Sequence, residues 1–355
     1  MQSQQLKNSF TSLPYPVTFV CRYLEKWPDL LSNDIQHLPD PNTIPERIIT
    51  NEECWIIMTY LHLKRRNLNV HLSNQFVKGS ICIASALDFG IKQKTFSSFV
   101  VGCRSDGPKP ALCDIAIVQN QANIKSITDI FIPHWPQPGL IKRDSARKNR
   151  ISNIVFKGSE INLYESFRSP EFIQELENLG IKLQINGLYK DKPVQWHDYS
   201  EADLVLAVRD LTEKDALVKP ASKLINAWAA GVPALLGPEP AFQNLRQSHL
   251  DYIEVKTPTE ALSSIRRLLN DPSLYEQMVI NGQKRAVEFS CEQIAMRWHE
   301  VLSTQVASSY SHWCKQSYLN RIGNFFVRAI NQKLAVREAD YHRAHGYRPI
   351  SNRWT

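Results

Sequence analysis

The sequence predicts an α/β protein built from two Rossmann-like domains, with a helical C-terminal tail. Three observations carry that reading. Short apolar runs bounded by turn residues recur along the chain. Several are apolar on both faces, as strands of a buried parallel sheet are. Amphipathic helical stretches alternate with them. With 355 residues the chain has room for two domains, and 43% hydrophobic against 22% charged residues excludes a disordered or fibrous protein.

The first domain is expected over residues 1–145. Its strands are read at "PVTFVCR" (Pro16 to Arg22), "NLNVHLS" (Asn67 to Ser73), "GSICIAS" (Gly79 to Ser85), "SSFVVGC" (Ser97 to Cys103), "DIAIVQN" (Asp114 to Asn120) and "DIFIPHW" (Asp129 to Trp135). "NEECWIIMTYLHLKRR" is an amphipathic helix with Ile56, Tyr60 and Leu63 inward. The polar, basic "KRDSARKNR" (Lys142 to Arg150) reads as a linker.

A second α/β unit is expected over 146–307. "ISNIVFKG" is its first strand. "SPEFIQELENLG" is a helix with a serine cap and a glycine stop, and "IKLQING" is a second strand. "EADLVLAVRD" (Glu201 to Asp210) is a buried strand. "LVKPASKLINAWAAGVPALLG" (Leu217 to Gly237) then reads as loop, helix and strand. Pro220 suits the helix's first turn, Ser222 is an alternative cap, Leu224, Ile225 and Trp228 mark the buried face, and Gly231 ends it. "DYIEVK" and the helices "PTEALSSIRRLLN" and "DPSLYEQMVINGQKRAVEF" follow. Residues 308–355 form a basic, largely helical tail.

Lys219 and Lys223 flank the start of the 217–237 helix, where the helix dipole repels cations and attracts anions. Loops and helix starts at the carboxyl ends of parallel strands are where open α/β sheets bind ligands. Two lysines, a helix start and Ser222 together suit a phosphate or diphosphate. Lys157 and Gly158, in "VFKGSE" at the end of the second domain's first strand, belong with them.

The stretch "ADLVLAVRD … KPASKLINAWAAGVPALLG … DYIEVKTPTEALSSIRRLLND" resembles the C-terminal half of GT-B glycosyltransferases. The match runs through Pro220, Ser222, Lys223, Ala227, Ala229, Gly231 and Pro233, then the "TPTEAL" helix. The resemblance implies two Rossmann-like domains facing across a cleft, with the tail crossing back onto the first domain. It implies a nucleotide diphosphate sugar on the C-terminal domain and an acceptor on the N-terminal one. Its diphosphate would lie on Lys219, Lys223, Ser222, Lys157 and Gly158, and its sugar or nucleoside near Asn226, Arg209 and Glu239. One departure stands out: where many retaining members carry two glutamates eight residues apart, this chain has Val218 and Asn226.

For the acceptor side, "FIPHWPQPGLIKRD" offers His134 as a general base, with Trp135 and Gln137 as sugar contacts. A rigid interdomain connector accounts for the same prolines. Asp88 in "SALDFG" is the second base candidate and Asp106 the third. Trp196, His197 and Tyr199 are pocket-lining aromatics or plain packing.

The chain contains no D-x-D motif, so transfer without a metal cofactor is expected, with the nucleotide diphosphate sugar as co-substrate. Three readings remain open: a hexosyltransferase-like enzyme serving a glycan, a lipid-linked saccharide or a small metabolite, as in polysaccharide biosynthesis; a non-catalytic nucleotide- or glycan-binding module; and a sugar-nucleotide epimerase or polyol-phosphate transferase of the same fold. Residues 1–150 hold 18 Lys and Arg against 12 Asp and Glu, and residues 308–355 hold 8 against 2. That excess points to peripheral contact with an anionic membrane. Nucleic acid is not expected, for no binding motif of that kind occurs. Seven cysteines with no C-x-x-C pair, and an N-terminal stretch unlike a secretory leader, favour the cytoplasm.

Overall fold

The apolar runs become eleven strands in two sheets in the computed structural model, which describes residues 10–31, 35–185, 195–209 and 211–344. Two compact units result, one built on residues up to Ile117 together with Ala295–Val336, the other on Val118–Ile294.

The first sheet has the order β2-β1-β3-β4-β5-β6, from β1 (Val17–Val20), β2 (Val70–Ser73), β3 (Ile81–Ser85), β4 (Phe99–Arg104), β5 (Ile115–Val118) and β6 (Asp129–Phe131). β1 pairs in parallel with both β2 and β3, and β3 with β4. The helix read at 51–66 is present as a π turn, Glu53–Ile57, running into Met58–Lys64, with Ile56, Tyr60 and Leu63 buried. The core of this unit is aromatic. Trp55 and Trp298 meet edge to face at 6.4 Å, and Phe19 lies 6.5 Å from Trp298.

The second sheet runs β11-β10-β9-β7-β8, from β7 (Asn153–Phe156), β8 (Lys182–Ile185), β9 (Leu204–Ala207), β10 (Ala234–Leu236) and β11 (Ile253–Glu254), with every neighbouring pair parallel. Two of its helices begin on side-chain caps. Ser169 accepts the Phe172 N–H ahead of Pro170–Asn178, and Thr257 accepts the Glu260 N–H ahead of Pro258–Asn270. Gly231 closes Ser222–Ala230 in the left-handed region, at φ 72°, which favours glycine. Gly282 lets the Pro272–Ala286 helix lie close on Trp228, for a Cβ there would fall 2.9 Å from the indole.

The stretch read as a linker is a packed part of the second unit. Arg143 and Arg147 both bond the carboxylate of the fully buried Asp203. Burial pushes that carboxyl up, but the Arg147 bond, the Ser152 and Asn153 N–H groups and Arg143 together hold it at about 2. The tail is helical over Cys291–Val301, Ala307–Cys314 and Tyr318–Ala344, and its last residues, 345–355, lie outside those described.

Candidate functional site

β7 stands between β8 and β9, so the chain leaves it to one side and then returns to the other. Such a switch opens a crevice at the strands' carboxyl ends. Gly158 follows β7 there, Arg209 follows β9, and the Ser222–Ala230 helix descends from the same edge. Asp210, read with Arg209 as the strand end, lies outside the described residues.

The helix starts two residues later than its proline implied. Ala221 is the cap, with no side-chain hydrogen bond to the first turn, so Ser222 is the first helical residue and Pro220 precedes the cap. The helix start therefore presents its dipole without a capping oxygen. Lys223 reaches back across the end of β7. Its Nζ donates to the Lys157 carbonyl at 2.6 Å and stands 5.3 Å from the Phe156 ring. A Cβ on Gly158 would fall 3.2 Å from that Nζ and 3.1 Å from the same ring. Lys219 is half-buried just before the helix, and its carbonyl accepts the Asn120 amide at 3.1 Å.

Other residues grouped with the donor have work inside the protein. Lys157 is buried, and its ammonium donates to the carbonyls of Gln195 and Asp198, 5.0 Å from the Tyr199 ring. Burial pushes it down to about 8, against the pull of Asp198. Arg209 and Glu239, at the ends of β9 and β10, form a two-pronged ion pair with Nε to Oε1 at 2.8 Å. Asn226 is buried, and its Oδ1 accepts the Gln137 N–H at 3.0 Å. Asn226 thus holds a loop in place.

The 131–138 loop lies against this helix. His134 Nε2 is 2.9 Å from Gln119 Oε1, and the Gln119 amide donates to the Val218 carbonyl at 2.6 Å. His134, Gln119, Ala221 and Ile225 line one recess. Three amides close the neighbouring Glu213–Val218 helix. Gln119 takes the carbonyl of Val218, Asn123 that of Leu217, and Asn120 those of Ala216 and Lys219. These are the carbonyls a helix end leaves without partners. Trp135 is only 3% exposed, so its ring packs inside the unit instead of forming an open plate, and Tyr199 is equally buried.

Sequence reasoning missed Glu52. In the first unit β1 occupies the switch, between β2 and β3. Glu52 is buried beside the end of β1, where its carboxylate accepts the Arg22 N–H and bonds the Cys21 thiol. Burial raises this carboxyl above its ordinary value, the Arg22 and Tyr23 N–H groups lower it, and the nearby Asp88 charge raises it further. Cys21 is pushed up to about 12 by burial and by Glu52. Asp88 is half-buried, its own N–H on the Ser85 carbonyl at 3.0 Å. Ser85 closes β3 with a buried hydroxyl that has no partner. A glutamate inside a run that reads as a helix carries no signal that its side chain turns to a neighbouring strand end. Asp106 is exposed. Among the described residues no three His, Cys, Asp or Glu side chains gather to hold a metal ion.

Comparisons agree with this architecture. A glycosyl transferase-like family model matches residues 168–300. No curated protein sequence matches the chain. Among solved structures, Anabaena Alr3699/HepE in complex with UDP superposes with a TM-score of 0.50 at 13% identity, over 81% of this chain and 100% of that one. AviGT4, a glycosyltransferase involved in Avilamycin A biosynthesis, gives 0.48 at 12%, over 83% and 99%. TarM gives 0.46 at 12%, over 64% of this chain, which spans 56% of TarM. Over residues 168–300 the chain is similar to a glycosyl transferase-like family, and the two sheets with their helices have the GT-B glycosyltransferase fold.

Proposed function

We propose that this protein is a metal-independent glycosyltransferase moving a sugar from a nucleotide diphosphate sugar to the hydroxyl of a glycan, a lipid-linked saccharide or a small metabolite. The observation that carries the reading is the uncapped start of the Ser222–Ala230 helix beside Gly158, with the Lys223 ammonium drawn over it. Two features there suit a diphosphate: a dipole end and a cation. As the bond from the sugar's anomeric carbon to the diphosphate breaks, negative charge grows on the leaving oxygen, and this end of the helix stabilises it. The new bond forms from the acceptor oxygen, whose proton goes to a base. His134, Asp88 and Glu52 are the candidates.

A solved structure of this fold supports a uridine donor: Anabaena Alr3699/HepE is in complex with UDP. A second reading, a binding module without catalysis, is favoured by one observation: Val218 and Asn226 stand where the resemblance implies glutamates, neither can carry a charge, and the Asn226 side chain is committed to the Gln137 N–H.

Thermal unfolding with UDP, GDP, ADP, CDP and TDP, without added metal, tests the donor site. One nucleotide should raise the melting temperature, and Lys223→Ala should abolish that shift while leaving the unliganded protein's melting unchanged. No shift with any nucleotide would overturn the donor assignment. With the right donor, turnover should survive a chelator; loss that magnesium or manganese restores would contradict the metal-independent reading.

A further inference from the structure

The helix Tyr318–Ala344 has one face in the first unit and another in solvent. Phe325 and Ala329 are buried against Leu112 and Phe96, Arg328 pairs with Asp114, and Gln332 accepts the Ala111 N–H. On the opposite side Leu319, Phe326, Ile330 and Leu334 are 57–78% exposed, with Val327 beside them. Spacings of seven, four and four residues put these four on one stripe, about 22 Å long at the helical rise. Single exposed apolar side chains need no explanation, but a continuous stripe of large ones marks an interaction surface.

Charge decides the partner. From Tyr318 to Ala344 the helix has five Lys and Arg against two carboxylates, Glu338 and Asp340. Lys315, Lys333 and Arg337 are exposed, and Lys333 and Arg337 lie along the edge of the stripe. A second copy packed stripe to stripe would bring together two helices of net positive charge, with Glu338 and Asp340 lying beyond the end of the stripe. Anionic headgroups neutralise the same lysines and arginines while the acyl boundary takes Phe326 and Ile330. Among the described residues no helix is long and apolar enough to cross a membrane, so a one-sided stripe implies a helix lying on the surface.

We propose that the exposed face of the Tyr318–Ala344 helix docks the protein on an anionic lipid surface. This stands on the helix alone, whatever reaction the protein performs. The test is sedimentation of the full chain with vesicles of phosphatidylcholine, alone or mixed with phosphatidylglycerol, at low and high salt. Binding should need the anionic lipid and fall with salt. Lys333→Glu with Arg337→Glu should weaken it by roughly fivefold or more for each charge reversed. Phe326→Ser with Ile330→Ser should weaken it at least as much at an unchanged melting temperature, since both side chains are solvent-facing. Absence of the folded protein from anionic vesicles would overturn the proposal, as would equal binding to neutral ones. So would a dimer in light scattering that the Phe326/Ile330 variant alone dissolves, which would make the stripe a contact between copies.

Discussion

The two sheets share a topology and differ in the chemistry at its break. In each, the first strand lies between the second and the third. At the end of β7 the crevice meets a nine-residue helix with an uncapped start, a glycine and Lys223. At the end of β1 the chain continues through single-turn 3-10 helices such as Leu24–Lys26 and Pro28–Leu31, which carry no comparable dipole. The groups gathered there are Cys21, Glu52, Asp88 and Ser85. The same topology thus makes one crevice suited to an anion and another suited to neutral hydroxyls and proton transfer. Fold supplies the position, and a handful of side chains set its sign.

The sharpest test of this contrast is Glu52→Gln. If the first crevice handles the proton, turnover should fall by about a hundredfold or more, with nucleotide binding intact. In the parent protein the acid limb of the rate profile should lie above the ordinary carboxylate range, because Glu52 must lose its proton to act and burial resists that. Stability adds a second readout. A carboxyl raised in the fold costs nothing below its unfolded value and destabilises progressively as pH rises above it. Glu52→Gln should therefore raise the melting temperature at neutral pH, with the gain fading on acidification. Unchanged turnover, together with a strong loss in His134→Ala, would move the base to the second unit.

Next in size is the anion side. Lys223→Ala should weaken nucleotide diphosphate binding by roughly ten- to a hundredfold, the range for a hydrogen bond to a charged group. Gly158→Ala should weaken it by a few-fold, since its Cβ must displace either the Phe156 ring or the Lys223 ammonium. Titration calorimetry of both variants checks the order. Equal affinity in all three proteins would leave the two crevices without the difference in sign.

The parts of this contrast legible in sequence were those that repeat with a period or cap an element. All six strands of the first sheet appear where the short apolar runs place them, only shorter, and Ser169 and Gly231 act as cap and stop. Lys223 was legible because a cation at a helix start is out of place. Partnership was not legible. Nothing local in "KRDSARKNR" says that two of its arginines serve Asp203, more than fifty residues on. Arg209 and Glu239 each read as ligands, yet they meet because adjacent parallel strands end side by side. Glu52 was invisible for the same reason, its partners lying on a strand it covers.

The smallest predicted effect concerns Lys157, the candidate diphosphate ligand whose ammonium is shared between two carbonyls. Its value of about 8 lies below the ordinary 10.5. The fold therefore carries the cost of charging it below about pH 8, and that cost fades as pH rises toward 10.5. The shift sets a ceiling of about 3 kcal/mol on what Lys157→Met gains at neutral pH, reduced by two carbonyls left without a donor. Were Lys157 to turn onto a diphosphate, the anion would raise its value, and nucleotide binding near pH 8 would take up a proton. Its present bonds to Gln195 and Asp198 predict otherwise: no uptake when binding heats are compared in two buffers of different ionisation enthalpy, and affinity within a few-fold in Lys157→Met. Measured uptake would add Lys157 to the anion crevice and deepen the contrast with the first unit. Its absence identifies the residue as the brace of the 195–199 segment, leaving Lys223 to supply the charge.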